Sequence, residues 1–383
     1  MTALNKRPDP AEPKRHEERI ALIMASMRGG GAERAVAKLA SGFARRGYAV
    51  DLVLAKAEGP FLAELHPEVQ VVDLGVKRVA TAVVPLARYL RAKRPAVAFS
   101  ALNYVNVAAV VARALARVDV PLVVSERNTL SVATANTPRR RNRWMPRLMR
   151  WTYPRASAVV AVSQGVAEDL VEMCGLASES VVVLNNPVVT PEMARMRTEP
   201  VTHPWLQERT CPTILAVGRL IPQKDFATLI EAFATVRRAR PARLVILGRG
   251  PLQSELEQLA ARLGVAADVS LPGFCDNPYP AMSAADVFAL SSRWEGSPGV
   301  LIEAISCGAT VVSTDCPSGP HQILDGGRYG ALVPVGDAAA MAAALVDALD
   351  GRVPPPPRES WLPYEQEQVV TSYLDVLLKT SRS

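Results

Sequence analysis

Short runs rich in Val, Ile, Leu and Ala alternate with helix-period segments along almost the whole chain. That alternation leaves few folds open. Apolar runs of this length suit strands of a parallel sheet whose faces are covered by connecting helices. In the first half, strands are expected at 20–26, 49–54, 69–73, 96–100, 121–125, 158–162 and 180–184. Helices near 32–46, 80–93, 105–117, 140–152 and 165–174 separate them. The polar stretch 191–204, after Asn186-Pro187, reads as an interdomain linker. A second set follows, with strands near 213–217, 243–247, 268–271, 286–290 and 310–313. The prolines at 354–357 form a stiff spacer, and 361–380 is expected to be helical. The pattern predicts an α/β protein of two domains.

At 293–308 the chain reads R-W-E-G-S-P-G-V-L-I-E-A-I-S-C-G. Ser297 suits an N-cap and Pro298 the first helical position, so a helix is expected to open here. The amides of Gly299, Val300 and Leu301 then face out of a helix N-terminus, which attracts anions. Glu295 falls on the loop and Glu303 on the helix. Phosphate-holding amides between two carboxylates able to read hydroxyls suit a nucleotide-sugar. The plainer alternative is a capped surface helix with solvated acids.

Upstream, 213–224 reads T-I-L-A-V-G-R-L-I-P-Q-K. A strand pattern ends at Gly218, with Arg219 next and Lys224 five residues later. Cations past the carboxyl end of a strand stand where open α/β sheets bind ligands. Arginine grips phosphate with two donors, and lysine acts as a point charge. Two solvated loop cations are the alternative, weakened by the apolar helix at 226–233 that fixes the loop.

Composition narrows the class. The 383 residues are 49% hydrophobic and 21% charged, enough for two ordinary cores. The five cysteines are scattered, with no pair at metal-ligand spacing, which predicts a reduced, cytoplasmic setting. Residues 1–18 are polar and proline-bearing and are expected to form a disordered tail rather than a targeting peptide. No apolar run approaches a membrane span.

Net charge is +7 and uneven. Residues 1–199 carry 29 Lys+Arg against 18 Asp+Glu, and 200–383 carry 15 against 19. Between Glu126 and Glu168 there is no acid and there are eight arginines, among them Arg139, Arg140, Arg141, Arg143 and Arg155. Trp144, Met145, Leu148, Met149 and Trp151 interleave with that basic run. A basic amphipathic helix of this kind fits an anionic, inner membrane surface. The alternative is an apolar face packed in the core with solvated arginines. Nucleic acid is not expected as a partner, because no binding motif accompanies the patch.

Two further segments lie at expected strand ends. Gly29-Gly30-Gly31 follows the first strand, where glycine lets backbone amides approach a ligand. It lacks the G-x-G-x-x-G spacing of a dinucleotide fingerprint. Ser125-Glu126-Arg127-Asn128 ends another strand. There Arg127 can hold a phosphate and Glu126 or Asn128 a hydroxyl, or the acid and base can form a structural pair. The four histidines have no convincing catalytic context, and there is no Asp-x-Asp anywhere.

Taken together, G-R-L-x-x-Q-K-D-F at 218–226, L-G-x-G-P-L at 247–252, L-P-G-F at 271–274, S-S-x-W-E-G-x-P at 291–298 and C-P-S-G-P at 316–320 resemble the retaining GT-B glycosyltransferases of family 4. G-G-G-A-E-R at 29–34, A-V-S at 161–163 and L-N-N-P at 184–187 fit the same family in the same order. The resemblance runs from about Ile20 to the C-terminus. It implies two Rossmann-like domains facing a cleft: an acceptor-side domain at 19–195, joined by the helix at 361–380, and a nucleotide-sugar domain at 200–355. It implies a metal-independent hexosyl or N-acetylhexosaminyl transferase using a UDP- or GDP-sugar, with no cofactor. Arg219 and Lys224 then face the leaving diphosphate, aided by Gly299 and Val300. Glu303 takes the ribose and Glu295 the sugar, so the catalytic set is Arg219, Lys224 and Glu295. Gly273 and Phe274 border the base, Gly296 and Ser297 complete the donor loop, and Gly30 and Gly31 lie under the donor phosphates. Glu126, Arg127 and Asn128 fall on the acceptor side, the acceptor being a lipid-linked or soluble saccharide. Relatives carry an acid where Gln322 stands, so Gln322 is not expected to be essential. A nucleotide-sugar epimerase of the same shape, or a silent binding protein, is the alternative; the first lacks a visible acid/base set, and the intact motif residues argue against the second.

Overall fold

A computed structural model describes residues 16–135 and 144–382. Among them the first sheet has β1 (His16–Met24), β2 (Tyr48–Leu54), β3 (Val69–Asp73), β4 (Val97–Ala101), β5 (Leu122–Glu126), β6 (Ala158–Ala161) and β7 (Val181–Val183). Helices α1 (Gly31–Arg45), α2 (Val79–Lys93), α3 (Asn103–Ala116), α4 (Leu130–Ala135), α5 (Met145–Thr152) and α6 (Gln164–Cys174) connect them. After α7 (Pro191–Met196) and α8 (Pro204–Glu208) comes a second alternating set. It runs β8 (Thr213–Val217), α9 (Phe226–Ala239), β9 (Arg243–Leu247), α10 (Gln253–Arg262), β10 (Val269–Gly273), α11 (Tyr279–Ala284) and β11 (Val287–Leu290). It continues through α12 (Gly299–Ser306), β12 (Val311–Thr314), α13 (Pro320–Ile323), β13 (Ala331–Val333), α14 (Ala338–Leu349) and α15 (Gln366–Arg382).

The first sheet has the order β3-β2-β1-β4-β5-β6-β7 and the second β10-β9-β8-β11-β12-β13. The registered pairs are parallel. Strand order reverses between β1 and β4, and again between β8 and β11. In such sheets the chain leaves the two central strands toward opposite faces, opening a crevice at their carboxyl ends. Two apolar layers cover the second sheet. One packs Leu229, Phe233 and Met341, from α9 and α14, on Ile214, Leu244 and Ile246. The other packs Met282, Leu301 and Ile305, from α11 and α12, on Leu215, Val245 and Phe288. Both faces are buried, which is why these strands read as continuous apolar runs.

By its contacts the described chain forms two compact units. One holds the described residues up to Ser125, with 155–158 and those from Tyr373 onward; there Phe99 and Tyr373 meet edge to face, 5.7 Å between centroids. The other holds the described parts of 126–154 and 159–372. The polar stretch expected as a plain linker carries α7 and ends at the start of α8, with Pro191 and Pro204 at their first turns. Strand β13, unmarked in the sequence pattern, adds an edge to the second sheet. The tail expected through residue 18 ends sooner, since β1 begins at His16 and pairs with β2; residues 1–15 lie outside the described residues. So do 136–143, with Arg139, Arg140, Arg141 and Arg143.

Candidate active site

The loops that follow β8, β9 and β10 stack on one another. Gly218 donates its amide to Leu247 O at 2.9 Å, and Leu220 donates to Arg249 O at 3.0 Å. Gly248 has φ +152°, and a Cβ there would lie 1.8 Å from Gly218 O. A Cβ on Gly250 would lie 2.3 Å from Leu220 O. Only glycine permits this approach, so the G-R-G turn is a bed for the Gly218–Leu220 loop rather than a plain connection. Asp225, at φ +45°, caps α9 through Thr228 and pairs with Arg293 at 3.1 Å. The loop is thus held at both ends. Arg219 extends from it exposed, while Lys224 turns inward.

Lys224 meets the loop after β11. Its Nζ lies 2.5 Å from Glu295 Oε1, with the side chains 14% and 9% exposed. The Ser292 hydroxyl donates to the same oxygen at 2.6 Å. Sequence reasoning faced each of these two residues toward a ligand; the structure also pairs them with each other. They meet across the reversal point between β8 and β11, where the sheet opens. The loop between Leu290 and Gly299 has no regular structure, so its carbonyls need other donors. Thr314 Oγ1 donates to Ser292 O at 2.6 Å, and Gln223 Nε2 to Trp294 O at 2.9 Å. Thr129 Oγ1 donates to Glu295 O at 2.9 Å, and Ser163 Oγ to Gly296 O at 2.8 Å.

Helix α12 begins at Gly299, with Pro298 in the cap position and extended there (ψ 95°). The expected Ser297 cap is therefore one residue early, and no side chain caps this helix. Leu301 donates its amide to Pro298 O at 3.0 Å, so it is not open to an anion as expected. The amides of Gly299 and Val300 have no partner among the described residues. Glu303 sits one turn on, 7% exposed, on the buried side of the helix. Gly273 closes β10 at φ +96°, and Phe274 beside it is 60% exposed.

Glu126 and Arg127 are buried, and Asn128 is exposed. The Glu126 oxygens accept from the Arg127 amide at 3.0 Å and the Tyr153 hydroxyl at 3.1 Å. Burial pushes its carboxyl up to about 7, against those hydrogen bonds and the Arg127 charge. The Arg127 guanidinium donates to Asn186 Oδ1. Glu126 is thus held by a backbone amide and Tyr153, and the Arg127 guanidinium by Asn186 rather than by the neighbouring acid. Burial, with Glu295 close by, pushes the Cys316 thiol up to about 12, so it stays protonated. Gln322 serves as a helix cap, its Oε1 accepting the amide of Gln164, the first residue of α6, at 2.9 Å. An amide oxygen performs that capping without a charge. In the other unit, Gly30 caps α1 and Gly31 is its first residue, with Glu33 in the first turn.

Thr129, Ser163, Gln223, Ser292 and Thr314 were not singled out for a role from sequence. Ser163 lies in the A-V-S motif, but hydroxyl donors leave no periodic signal, and nothing local says which carbonyl they serve.

Residues 211–351 match the family described as glycosyl transferases group 1, and 29–191 match glycosyltransferase family 4. An N-acetylgalactosamine-N,N'-diacetylbacillosaminyl-diphospho-undecaprenol 4-alpha-N-acetylgalactosaminyltransferase of Campylobacter jejuni is 34% identical over 198 residues, 52% of each chain. A GDP-mannose-dependent alpha-(1-6)-phosphatidylinositol monomannoside mannosyltransferase of Mycolicibacterium smegmatis is 36% identical over 148 residues, 36% of this chain and 38% of that one. The chain thus spans about half the length, or less, of these curated relatives. Among solved structures, HepE of Anabaena in complex with UDP-glucose superposes with TM-score 0.72 at 20% identity, covering 96% of this chain and 98% of that one. That likeness shows the fold, a GT-B pair of Rossmann-like parallel sheets. With a family match on each half, the chain belongs to the family 4, group 1 glycosyltransferases.

Proposed function

We propose that this protein is a retaining glycosyltransferase. It takes a hexose or N-acetylhexosamine from a UDP- or GDP-sugar and passes it to a lipid-linked saccharide in glycan assembly. The observation that carries the reading is the Lys224–Glu295 pair, which joins the loop after β8 to the loop that leads to the open amides of α12. Lysine has three donors, so Nζ can keep Glu295 and still meet a phosphate oxygen. That makes Lys224 a bridge between the carboxylate that reads the sugar and the diphosphate. Arg219, exposed in the loop after β8, grips the diphosphate, and the Gly299 and Val300 amides add their partial positive charge. Glu303 takes the ribose hydroxyls, and Gly273 and Phe274 border the base.

In this reading the bond from the anomeric carbon to the phosphate oxygen breaks while the acceptor hydroxyl attacks from the same face. Its proton passes to the departing phosphate. Arg219, Lys224 and the helix amides stabilise the charge that develops there, the work a metal ion does in other transferases. Activity is therefore expected to persist in excess EDTA. The C. jejuni and M. smegmatis relatives are named for lipid-carried substrates, and the HepE structure holds UDP-glucose; these support the acceptor and donor classes.

A peripheral position at the inner face of the membrane, from the cytoplasmic side, fits the described part of the basic segment. No described helix is long and apolar enough to cross a membrane. Trp144, Leu148 and Trp151 are 62%, 45% and 55% exposed, and Arg147 lies 4.9 Å from the Trp144 ring centre. Buried Met149 anchors α5 beneath them.

The test is a melting-temperature panel of UDP- and GDP-sugars, followed by calorimetry with the free nucleotide. Glu303→Ala should lose nucleotide affinity, whereas Glu295→Ala should keep it and lose turnover. No shift with any nucleotide-sugar, or equal nucleotide loss in both variants, overturns the assignment.

A further inference from the structure

We infer that Thr129 and Ser163 are positioning residues for Glu295, acting from outside the motif that carries it. The inference rests on the donor reading above. Three observations converge on one short contact, all within the second unit.

The first is how Thr129 spends its hydroxyl. It stands just before α4, where a threonine ordinarily accepts from the helix's first amides. Here Asp169 does that instead, with Oδ2 2.5 Å from the Leu130 amide and 3.2 Å from that of Ser131. The Thr129 hydroxyl is released for other work. It lies 2.9 Å from Glu295 O and 2.9 Å from Ser318 Oγ. A carbonyl only accepts, so the Thr129 proton goes to Glu295 O and Ser318 donates in turn to Thr129.

The second is Ser163, which serves two purposes at once. Its oxygen accepts the Val166 amide at 3.4 Å as the cap of α6, and its proton goes to Gly296 O at 2.8 Å. Successive carbonyls, of Glu295 and Gly296, are thus held by hydroxyls that follow β5 and β6.

The third is that this approach needs a missing side chain. A Cβ on Gly296 would lie 2.1 Å from Arg127 O. The glycine lets the two backbones touch, which brings Thr129 within reach.

Glu295 must keep its carboxylate on Lys224 and Ser292 while its own backbone has no regular structure to hold it. Fixing both carbonyls sets the peptide planes on either side of Gly296, and hence where the Glu295 side chain starts. Without the hydroxyls the loop can rotate, and the carboxylate leaves the position from which it meets the sugar. The sugar reaches Glu295 only as part of the donor, so the loss falls on turnover and spares affinity for the free nucleotide.

The experiment compares wild type with Thr129→Val, Ser163→Ala, the double variant and the conservative Thr129→Ser. Three readouts are needed: nucleotide release from whichever UDP- or GDP-sugar raises the wild-type Tm, Kd for free UDP or GDP, and amide exchange across 291–300. Thr129→Val should release nucleotide roughly tenfold more slowly, the weight of one buried hydrogen bond, and the double variant more slowly still. Kd should stay within a factor of about two, exchange should quicken in 291–300, and Thr129→Ser should match wild type. Ser163→Ala also removes a helix cap and will melt earlier, so Thr129→Val is the decisive arm. Unchanged release and exchange in Thr129→Val overturn the inference. So does a parallel loss of nucleotide affinity, or a failure of Thr129→Ser to restore the rate. If wild type itself binds and cleaves none of the nucleotide-sugars, the donor reading fails first and the inference with it.

Discussion

Removing the Lys224 charge while leaving Glu295 should destabilise the protein, and removing both should not. At 2.5 Å, with both side chains mostly buried, the gross attraction is about 7 kcal/mol at an effective dielectric near 20. Desolvation of the two groups takes back most of that, so the intact pair adds little net stability. The broken pair is another matter. Orphaning one member of a buried pair costs roughly 3–5 kcal/mol, and the Ser292 hydroxyl offsets about 1 kcal/mol for the remaining carboxylate. Lys224→Met should therefore lose about 3 kcal/mol, or roughly 6–12 °C in Tm. The double variant Lys224→Met/Glu295→Gln should return to within about 1 kcal/mol of wild type, yet stay inactive. Arg219→Ala, at an exposed site, should change stability by less than about 0.5 kcal/mol while cutting turnover on the order of a hundredfold. Calorimetric melting of all three, with nucleotide release as the activity readout, separates the charge's structural part from its chemical part. A double variant as unstable as Lys224→Met refutes the orphan-charge reasoning. An Arg219→Ala enzyme of normal turnover refutes the diphosphate assignment.

Gly296→Ala should distort the donor loop, while Gly299→Ala, three residues on, should not. The first Cβ would sit 2.1 Å from Arg127 O, about 1.3 Å inside ordinary contact, at a cost of about 2–3 kcal/mol; the second meets only Val188 Cγ2 at 3.8 Å. Equal melting temperatures for the two would dismiss the close contact. Glu126, pushed up to about 7 from an ordinary 4.5, is stabilising when protonated. That stability is complete below about pH 4.5 and is lost as pH rises toward 7, so Glu126→Gln should gain about 3 kcal/mol on wild type between pH 4.5 and 8. Urea unfolding across pH decides it, and a difference that stays flat with pH is the contrary result. Trp144→Ala/Trp151→Ala should bind anionic vesicles at least about tenfold less tightly with unchanged donor affinity, since both rings are exposed on α5. Co-sedimentation checks this, and equal binding by both proteins would leave the helix a solvated face.

The strands were legible because burial on both faces writes itself into sequence. Arg243–Leu247 reads R-L-V-I-L, and every residue after the arginine is buried. Strand β13 escaped because three residues at a sheet edge, Ala331–Val333, make no pattern. The short helices α7 and α8 escaped because six and five residues in a polar stretch show no period. In the candidate site, the places of Arg219, Lys224 and Glu295 on loops after strands, and of Glu303 on the helix that follows, were legible. The Lys224–Glu295 contact, 71 residues apart in sequence, was not. It depends on β8 and β11 being neighbours, which is a property of strand order and not of either loop.

The hydroxyl network follows from the same geometry. A parallel sheet brings catalytic groups together on the loops beyond its strand ends, where the ladder no longer satisfies the backbone. Ser292, Glu295 and Gly296 are buried there, so their carbonyls must find donors or carry the cost of going unpaired. Water or main chain could serve for a loop free to move. Glu295 is not free to move, because a shift of about an ångström breaks its contact with Lys224. Side-chain hydroxyls suit this role because they are short, they are held by their own backbone, and each gives one proton to one acceptor. Thr129, Ser163 and Thr314 come from the ends of three different strands, so no single loop motion releases all three carbonyls. Rigidity at Glu295 is thus distributed over the fold, and substitutions far from the motif in sequence should slow turnover, though by less than substitutions in the motif itself.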